Sequence, residues 1–337
     1  MAELIHSRFW RAAVLAAGLA LCFAAGPADA ARVEGLYQAE AGFDGDRDAA
    51  FREALGVVLV RITGRRDVTG RPEVAPLLAN AAAYAQQYSQ PAPDRFWAAF
   101  DGAALERELG QLRQPIWGTE RPSTLLWIAV DAGGGNRFVV ASGDELEEEA
   151  ALREALLAAA RSRGLPMVFP LMDAEDRAHA SFAEVWGGFE DSVLAVSARY
   201  GADAVLVGRL ATADLERGRW TLFAADGVER WSGTIAESID RLADLFAARF
   251  AVVSSGESRV VRLEVTGVDS IDDYGRISRF LGSLTAVESL GVETVEGDSI
   301  TFRVSLRGEP ETLDEAIRLG GLLRPDGLRP LSYQVAK

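Results

Sequence analysis

The chain reads as a mixed α+β / α/β protein built from three small modules. Apolar residues recur at helical spacing in some stretches and at alternate positions in others, and the two patterns interleave along the chain. Two polar breaks interrupt them, one bounded by prolines at 115–122 and one of Ser, Gly and Glu at 254–258. At 337 residues, the length suits roughly two or three domains, each able to bury a core. The expected divisions are a leader (1–30), an N-terminal α+β module (31–120), a middle α/β module (121–256) and a C-terminal module (257–337).

The leader has the pattern of a cleavable export signal. Arg8 and Arg11 precede an apolar run of 14 residues, Ala12–Ala25, and Ala28-Asp29-Ala30 forms a small-x-small cleavage site after Gly26-Pro27. Such a run is shorter than the ~18–20 residues needed to cross a bilayer, so a signal peptide cut after Ala30 is the expectation. Leu21 before Cys22 does not fit a lipobox, and cutting after Ala30 leaves a chain without cysteine. Disulfides and thiolate chemistry are then excluded. A bacterial periplasm is the expected location, since Asn80 and Asn136 lie in no glycosylation sequon.

The first module predicts β-α-α-β-α. Val33–Ala41 reads as a strand, and a helix over Asp46–Ile62 places Phe51, Ala54, Leu55, Val58 and Ile62 at offsets 0, 3, 4, 7 and 11 before Thr63-Gly64 ends it. A short helix over Glu73–Tyr84, a strand at Arg95–Phe100 and a helix over Gly102–Leu112 follow.

The middle module alternates strand and helix, as a layered α/β sandwich does. Leu125–Val130 turns through three glycines into Arg137–Val140. Ser142-Gly143-Asp144-Glu145 has capping-box spacing, and Glu147, Glu148 and Glu149 suit the positive end of the next helix. That helix should bury Leu152, Ala155, Leu156 and Ala159 and stop at Gly164. After a strand at Met167–Leu171, one long helix is expected, with Phe182, Val185, Trp186, Phe189, Val193, Val196 and Tyr200 at offsets 0, 3, 4, 7, 11, 14 and 18. Strands at Ala204–Leu210, Trp220–Ala224 and Val228–Trp231 and a helix over Glu237–Phe250 complete it.

The last module reads β-α-β-β-α-β, a ferredoxin-like order. Val261, Leu263 and Val265 alternate with charged residues, Tyr274, Ile277, Leu281 and Leu284 form a helical stripe, and Ile300 to Leu306 alternate again. Leu313, Ala316 and Ile317 mark a helix opened by Pro310, and Leu331, Tyr333 and Val335 the final strand.

Charge narrows the function more than motifs do. A net charge of −15 argues against a sequence-independent nucleic-acid partner, which needs surplus Lys and Arg against phosphate. His179 is the one histidine after the leader, no Gly-x-Ser-x-Gly elbow occurs, and the chemistry for a metal or cofactor site is missing. His179, the carboxylates Asp173, Glu175 and Asp176, and Glu147–Glu149 all read as solvated, and the triple glycine at 133–135 as a hairpin turn rather than a phosphate loop.

Two surface candidates remain. Arg65, Arg66, Asp67 and Arg71 form the one basic concentration, and guanidinium groups can bind anions bidentately. The competing reading is that these arginines face a helix C-terminus while Asp67 pairs one of them. With Tyr88, Trp97 and Trp117, they are the residue types enriched at interfaces. Trp186-Gly187-Gly188 is the second candidate: the tryptophan fits a core stripe, while two glycines in a helical pattern mark a kink, a helix start or a close approach.

Several phrases carry a resemblance: Val33-Glu34-Gly35-Leu36-Tyr37, Ile62-Thr63-Gly64-Arg65-Arg66-Asp67, Pro115-Ile116-Trp117-Gly118, Val185-Trp186-Gly187-Gly188-Phe189-Glu190 and Tyr200-Gly201-Ala202-Asp203-Ala204-Val205-Leu206-Val207-Gly208-Arg209. Together they resemble the gammaproteobacterial domain-of-unknown-function family 2066, whose members are exported proteins of about this size. The resemblance implies export and no activity. Gly201-Ala202-Asp203 leading into its strand is also similar to the envelope α/β domains of the TolB amino terminus, the curli-secretion protein CsgG and the lipoprotein activators of penicillin-binding proteins, which implies protein docking.

The expected function is therefore that of a non-catalytic periplasmic envelope protein acting as a docking or scaffold module for another envelope protein, without cofactor or transmembrane anchor. A carboxylate-dependent envelope hydrolase and a small-molecule or anion-binding periplasmic protein are the alternatives.

Overall fold

A computed structural model describes residues 33, 35–143, 147–211, 217–225, 227–253, 259–327 and 329–336. The leader, Asp144-Glu145 of the expected capping box and the break at 254–258 lie outside the described residues. The architecture is mixed α and β, in several small sheets.

Strand β1 (Gln38–Gly42) leads into helix α1 (Arg47–Thr63). Asp46 caps the helix by accepting from the Asp48 and Ala49 amides, and Gly64 ends it in the left-handed region at φ 68°. Phe51, Ala54, Leu55, Val58 and Ile62 are buried, the face expected from their spacing, and Leu59 is buried with them. The expected helix over Glu73–Tyr84 is shorter, α2 (Ala75–Ala79) followed by a 3-10 turn, because Asn80 leaves helical geometry. Strand β2 (Ala85–Ala92) went unread because it is polar, contains Pro91 and alternates nothing apolar. It pairs with β3 (Arg95–Phe100), giving the order β1-β3-β2, and α3 (Gly102–Gln111) follows.

The expected linker at 115–122 is core. Strand β4 (Pro115–Ile116) opens it, and Ile116, Trp117 and Arg121 are all buried.

In the middle module, β5 (Thr124–Gly133), β6 (Asn136–Val139) and α4 (Glu147–Arg163) are followed by β7 (Met167–Val168). Helix α4 buries Glu149, Leu156, Ala160 and Arg163, a face rotated from the expected stripe; Glu149 turns inward to accept from the Ala141 amide. The single long helix expected over 182–200 is broken. Helix α5 (Ala174–His179) precedes α6 (Phe182–Gly187), Gly188 closes α6 at φ 79°, and α7 (Glu190–Ser197) starts afresh. Phe189, expected in the buried stripe, is 61% exposed as a result.

Strands β8 (Ala204–Ala211), β9 (Gly218–Ala224) and β10 (Gly227–Gly233) precede α8 (Ile235–Phe250), which carries a complete capping box from Thr234 and Glu237. The sheet runs β10-β9-β8-β5-β6, with β7 also beside β5. Strand β5 is sandwiched: Leu126, Ile128 and Val130 meet α4 and α8, while Leu125, Trp127 and Ala129 meet α6 and α7. Full burial of one such side chain contributes roughly 1.5–3 kcal/mol. Strand β11 (Val252–Val253) then returns to pair with β4.

The last module holds β12 (Arg259–Thr266), α9 (Ile271–Ser283), β13 (Val287–Glu296), β14 (Ser299–Leu306), α10 (Pro310–Leu319), β15 (Leu323–Pro325) and β16 (Ser332–Val335). The sheet order is β13-β14-β12-β16-β15. Up to α10 the ferredoxin-like order holds. The three-residue β15 is the addition: it reverses the chain, so β16 runs parallel to β12 where a ferredoxin-like last strand would run antiparallel.

Candidate functional site

The candidate site lies where α1 ends. Thr63 Oγ1 donates to the Leu59 carbonyl and accepts from the Arg65 amide, and the left-handed Gly64 turns the chain into a 3-10 turn over Arg66–Gly70 pinned by buried Val68. Arg65, Arg66 and Arg71 are thereby delivered to one rim of a cleft of about 600 Å³. Arg113, Gln114 and Pro115 also line it, and Ala247, Ala248, Ala251 and Val253 line it from the α8 end of the middle module.

The cleft is cationic and partly self-paired. Its lining includes four arginines and two aspartates, Asp67 and Asp244. Arg65 donates to both Asp67 oxygens at 3.0 Å, and Arg71 reaches the same carboxylate at 2.8 Å. The hydrogen bonds from Arg65 and then Arg71 hold the Asp67 carboxyl down to about 2. Asp67 thus engages two of the arginines. Arg66 bonds Asp240, an aspartate that also accepts from buried Arg163. Arg113 is exposed, its side chain has no ion-pair or hydrogen-bond partner among the described residues, and it sits at φ 50°, a region non-glycine residues seldom occupy. Beside it, Gln114 is buried, and its Oε1 accepts nothing.

Below the cleft two more arginines join the first and middle modules. Arg163 donates to Asp240, to Asp244 and to the Gly64 carbonyl. Arg121, fully buried, donates to five carbonyls: Arg61, Trp117, Gly118, Arg163 and Gly164. Its guanidinium lies 4.0 Å from the centre of the Trp117 ring. Three of those carbonyls belong to the C-terminal ends of α1 and α4, where the helix dipoles favour a cation. Burial pushes the Arg121 guanidinium down to about 9, which leaves it charged at neutral pH.

The sequence candidates therefore separate. Arg65, Arg66, Asp67 and Arg71 come together as expected. Trp117, expected as a surface aromatic, is 1% exposed and belongs to the core, so it cannot present itself to a partner. Tyr88 is 55% exposed on β2 and stacks on Phe96, while Trp97 is half-buried on the opposite face of the same sheet; neither lines the cleft. Trp186 stacks on Phe182, and Gly188 is the break between α6 and α7.

The carboxylates expected to be solvated are not all so. Asp176 is fully buried, accepting from the Tyr200 hydroxyl and Arg199, while Asp173 caps α5 and pairs with Arg199. Burial and then the Asp176 hydrogen bond push the Tyr200 hydroxyl up to about 12. His179 is exposed on α5. Asp203 of the Gly-Ala-Asp phrase accepts from the Ser123 amide and hydroxyl, each at 2.7 Å, tying the entry of β8 to the start of β5. That phrase has a local structural role.

Arg113, Arg121, Arg163, Asp240 and Asp244 were missed by sequence reasoning. None sits in a motif, and Arg121, Arg163 and Asp240 take partners across the first two modules. A single signal existed: Arg121 lies between two prolines in a stretch too apolar for a solvated linker.

Fold and site together define a three-module α+β protein with an arginine-lined cleft at the seam of its first two modules. Residues 30–118 match a family model described as Domain of unknown function (DUF8605). A search of the curated proteins gave no match. The family match spans the first module and the Arg65–Arg71 segment but ends before Arg121.

Proposed function

We propose that this is a non-catalytic protein of the bacterial envelope that docks an acidic segment of another envelope protein in the cleft between its first two modules. One observation carries the reading: four arginines and only two aspartates line a cleft of about 600 Å³, on a chain whose net charge is −15. The cleft attracts an anionic segment locally, against the longer-range repulsion of the net negative charge, which favours a short acidic stretch over a polyanion. Arg113 offers an unengaged fork, and Arg65 and Arg71 can exchange Asp67 for an incoming carboxylate at similar cost. A carboxylate hydrolase has less support, because both carboxylates of the cleft are tied to arginines.

The test is an anisotropy titration of a labelled glutamate-rich peptide against wild type and the double variant Arg65→Ala, Arg113→Ala. The expected outcome is salt-sensitive binding that the double variant weakens at least about tenfold, as loss of charged hydrogen bonds does. Equal binding by both proteins would refute the cleft as the docking site. Export is part of the same proposal, supported by the leader pattern and by the resemblance to exported proteins. Amino-terminal sequencing of periplasmic material should begin at Ala31, and recovery of intact Met1 or of lipidated Cys22 would overturn it.

A further inference from the structure

The middle sheet carries a second group of arginines, away from the cleft. Arg209 on β8 and Arg219 on β9 are directly opposite in the antiparallel register. Val205, Val207 and Phe223 on the same strands meet α6 and α7, so alternation puts both arginines on that face too. Arg230 on β10 shares it, being opposite Thr221. Beside the break that follows α6, Phe189 is 61% exposed.

The charges there are only partly compensated. Glu190, in the first turn of α7, accepts from Arg230 at 2.8 and 3.0 Å, one carboxylate filling one fork. The side chains of Arg209 and Arg219 have neither hydrogen-bond nor ion-pair partner among the described residues, and Glu190 acts on Arg209 only from beyond ion-pair distance. Like charges directly opposite in a sheet are destabilising. Burial, and then Arg219, lower the Arg209 guanidinium from its ordinary value. The Arg209 head group also rests on bare backbone: a Cβ on Gly188 would fall 2.7 Å from Arg209 Nη2. The helix break that the double glycine produces is what makes room for it.

We propose that Arg209 and Arg219, with Arg230 beside them, bind a phosphate group. A carboxylate saturates a single fork, as Glu190 does, whereas two adjacent unfilled forks match a dianion with three acceptor oxygens. A phosphate between the strands turns the cross-strand repulsion into attraction on both sides. The phosphate can belong to a free soluble molecule or to a phosphomonoester lipid headgroup, with Phe189 then resting on the lipid.

The mature full-length protein is titrated with inorganic phosphate and its melting followed, using wild type, Arg209→Gln, Arg219→Gln and Arg65→Ala. Phosphate raises the melting temperature of wild type and Arg65→Ala, and either Gln variant weakens the effect roughly tenfold or more, as loss of a charged hydrogen-bonding pair does. Without phosphate, Arg219→Gln melts at or above wild type, because a repulsion has been removed. A second arm sediments the proteins with phosphatidylcholine vesicles, with and without phosphatidic acid, whose headgroup is a phosphomonoester. Capture that needs phosphatidic acid and is lost in Phe189→Ser assigns the phosphate to lipid, and protection by inorganic phosphate without capture assigns it to a soluble ligand. If neither probe separates wild type from the Gln variants, or if Arg219→Gln melts well below wild type with no phosphate effect, the arginines are structural and the proposal fails. Loss of the phosphate effect in Arg65→Ala would place it in the cleft instead.

Discussion

Asp67 and Arg121 show how differently a charge behaves at a rim and in a core. Asp67 is largely exposed, so its two ion pairs add little to folding, under about 1 kcal/mol. Its effect falls on the cleft, where it occupies two arginines. Asp67→Asn is expected to strengthen acidic-peptide binding several-fold with little change in urea stability; weaker binding would mean that Asp67 organises the arginines rather than competing for them. The same residue sets a small acid dependence. Its folded pKa is depressed to about 2, so below the ordinary carboxylate range the unfolded chain takes up the proton first. Stability from this group is present above about pH 4 and is lost as pH falls toward 2. Asp67→Asn should flatten that part of the acid-denaturation profile slightly. Arg121 is the opposite case. Arg121→Met would leave five buried carbonyls without their donor and should cost at least about 3 kcal/mol in urea unfolding. Arg121→Lys should not restore it, because an ammonium has three donors and no flat face for Trp117. A loss below 1 kcal/mol would remove Arg121 as the clamp between modules.

At the scale of elements, the end of α1 decides where the cleft is. Gly64 is left-handed, and a Cβ there would lie 2.3 Å from the Ala247 Cβ on α8. Helix α1 can therefore abut α8 only because the residue that caps its end has no side chain. Gly64→Ala is expected to lose about 2–4 kcal/mol by backbone strain and overpacking together. Gly70, in the next turn, has open space at its Cβ position and no positive φ. Gly70→Ala should be neutral or mildly stabilising. Chemical denaturation of the pair checks the contrast, and equal losses would show that helix-end entropy rather than packing is at issue. The break at Gly188 obeys the same logic in reverse: the offsets from Phe182 to Tyr200 suit one continuous helix, yet the chain kinks there and exposes Phe189.

For the whole molecule, the question is how independent the modules are. The C-terminal sheet has its own core around Leu263, Phe302, Val304, Leu313 and Tyr333, but Val252 of β11 is buried in that core. Across the seams, Arg249 pairs with Glu315, and a Cβ on Gly118 would strike Thr285 Oγ1 at 1.8 Å. A piece spanning 257–337 is expected to unfold cooperatively on its own. A piece starting at 251 should be more stable by about 1 kcal/mol or more, because it restores the buried valine. Urea titration of the two pieces decides. A non-cooperative trace from both would mean that the last core forms only against the middle module.

Most elements were legible in advance because they depend on neighbours a few residues away. Alternation and helical offsets marked β3, β8, β14, α1 and α8 to within a few residues, and Asp46 and Gly64 carried the caps of α1 in plain sight. The basic rim was legible for the same reason, its arginines lying within seven residues of one another. What escaped was set by partners far along the chain. Polar β2 is a strand only because β3 offers its edge, and β15 is one only because β16 returns beside it. The prolines at 115 and 122 looked like a solvated linker, but the open ends of α1 and α4 converge there, and their carbonyls drew Arg121 and Trp117 into the core. The place of Arg113 in the cleft and the pairing of Arg209 with Arg219 likewise came from packing. A side chain's chemistry is local, but the charge it faces depends on which distant backbone the fold brings within hydrogen-bonding reach.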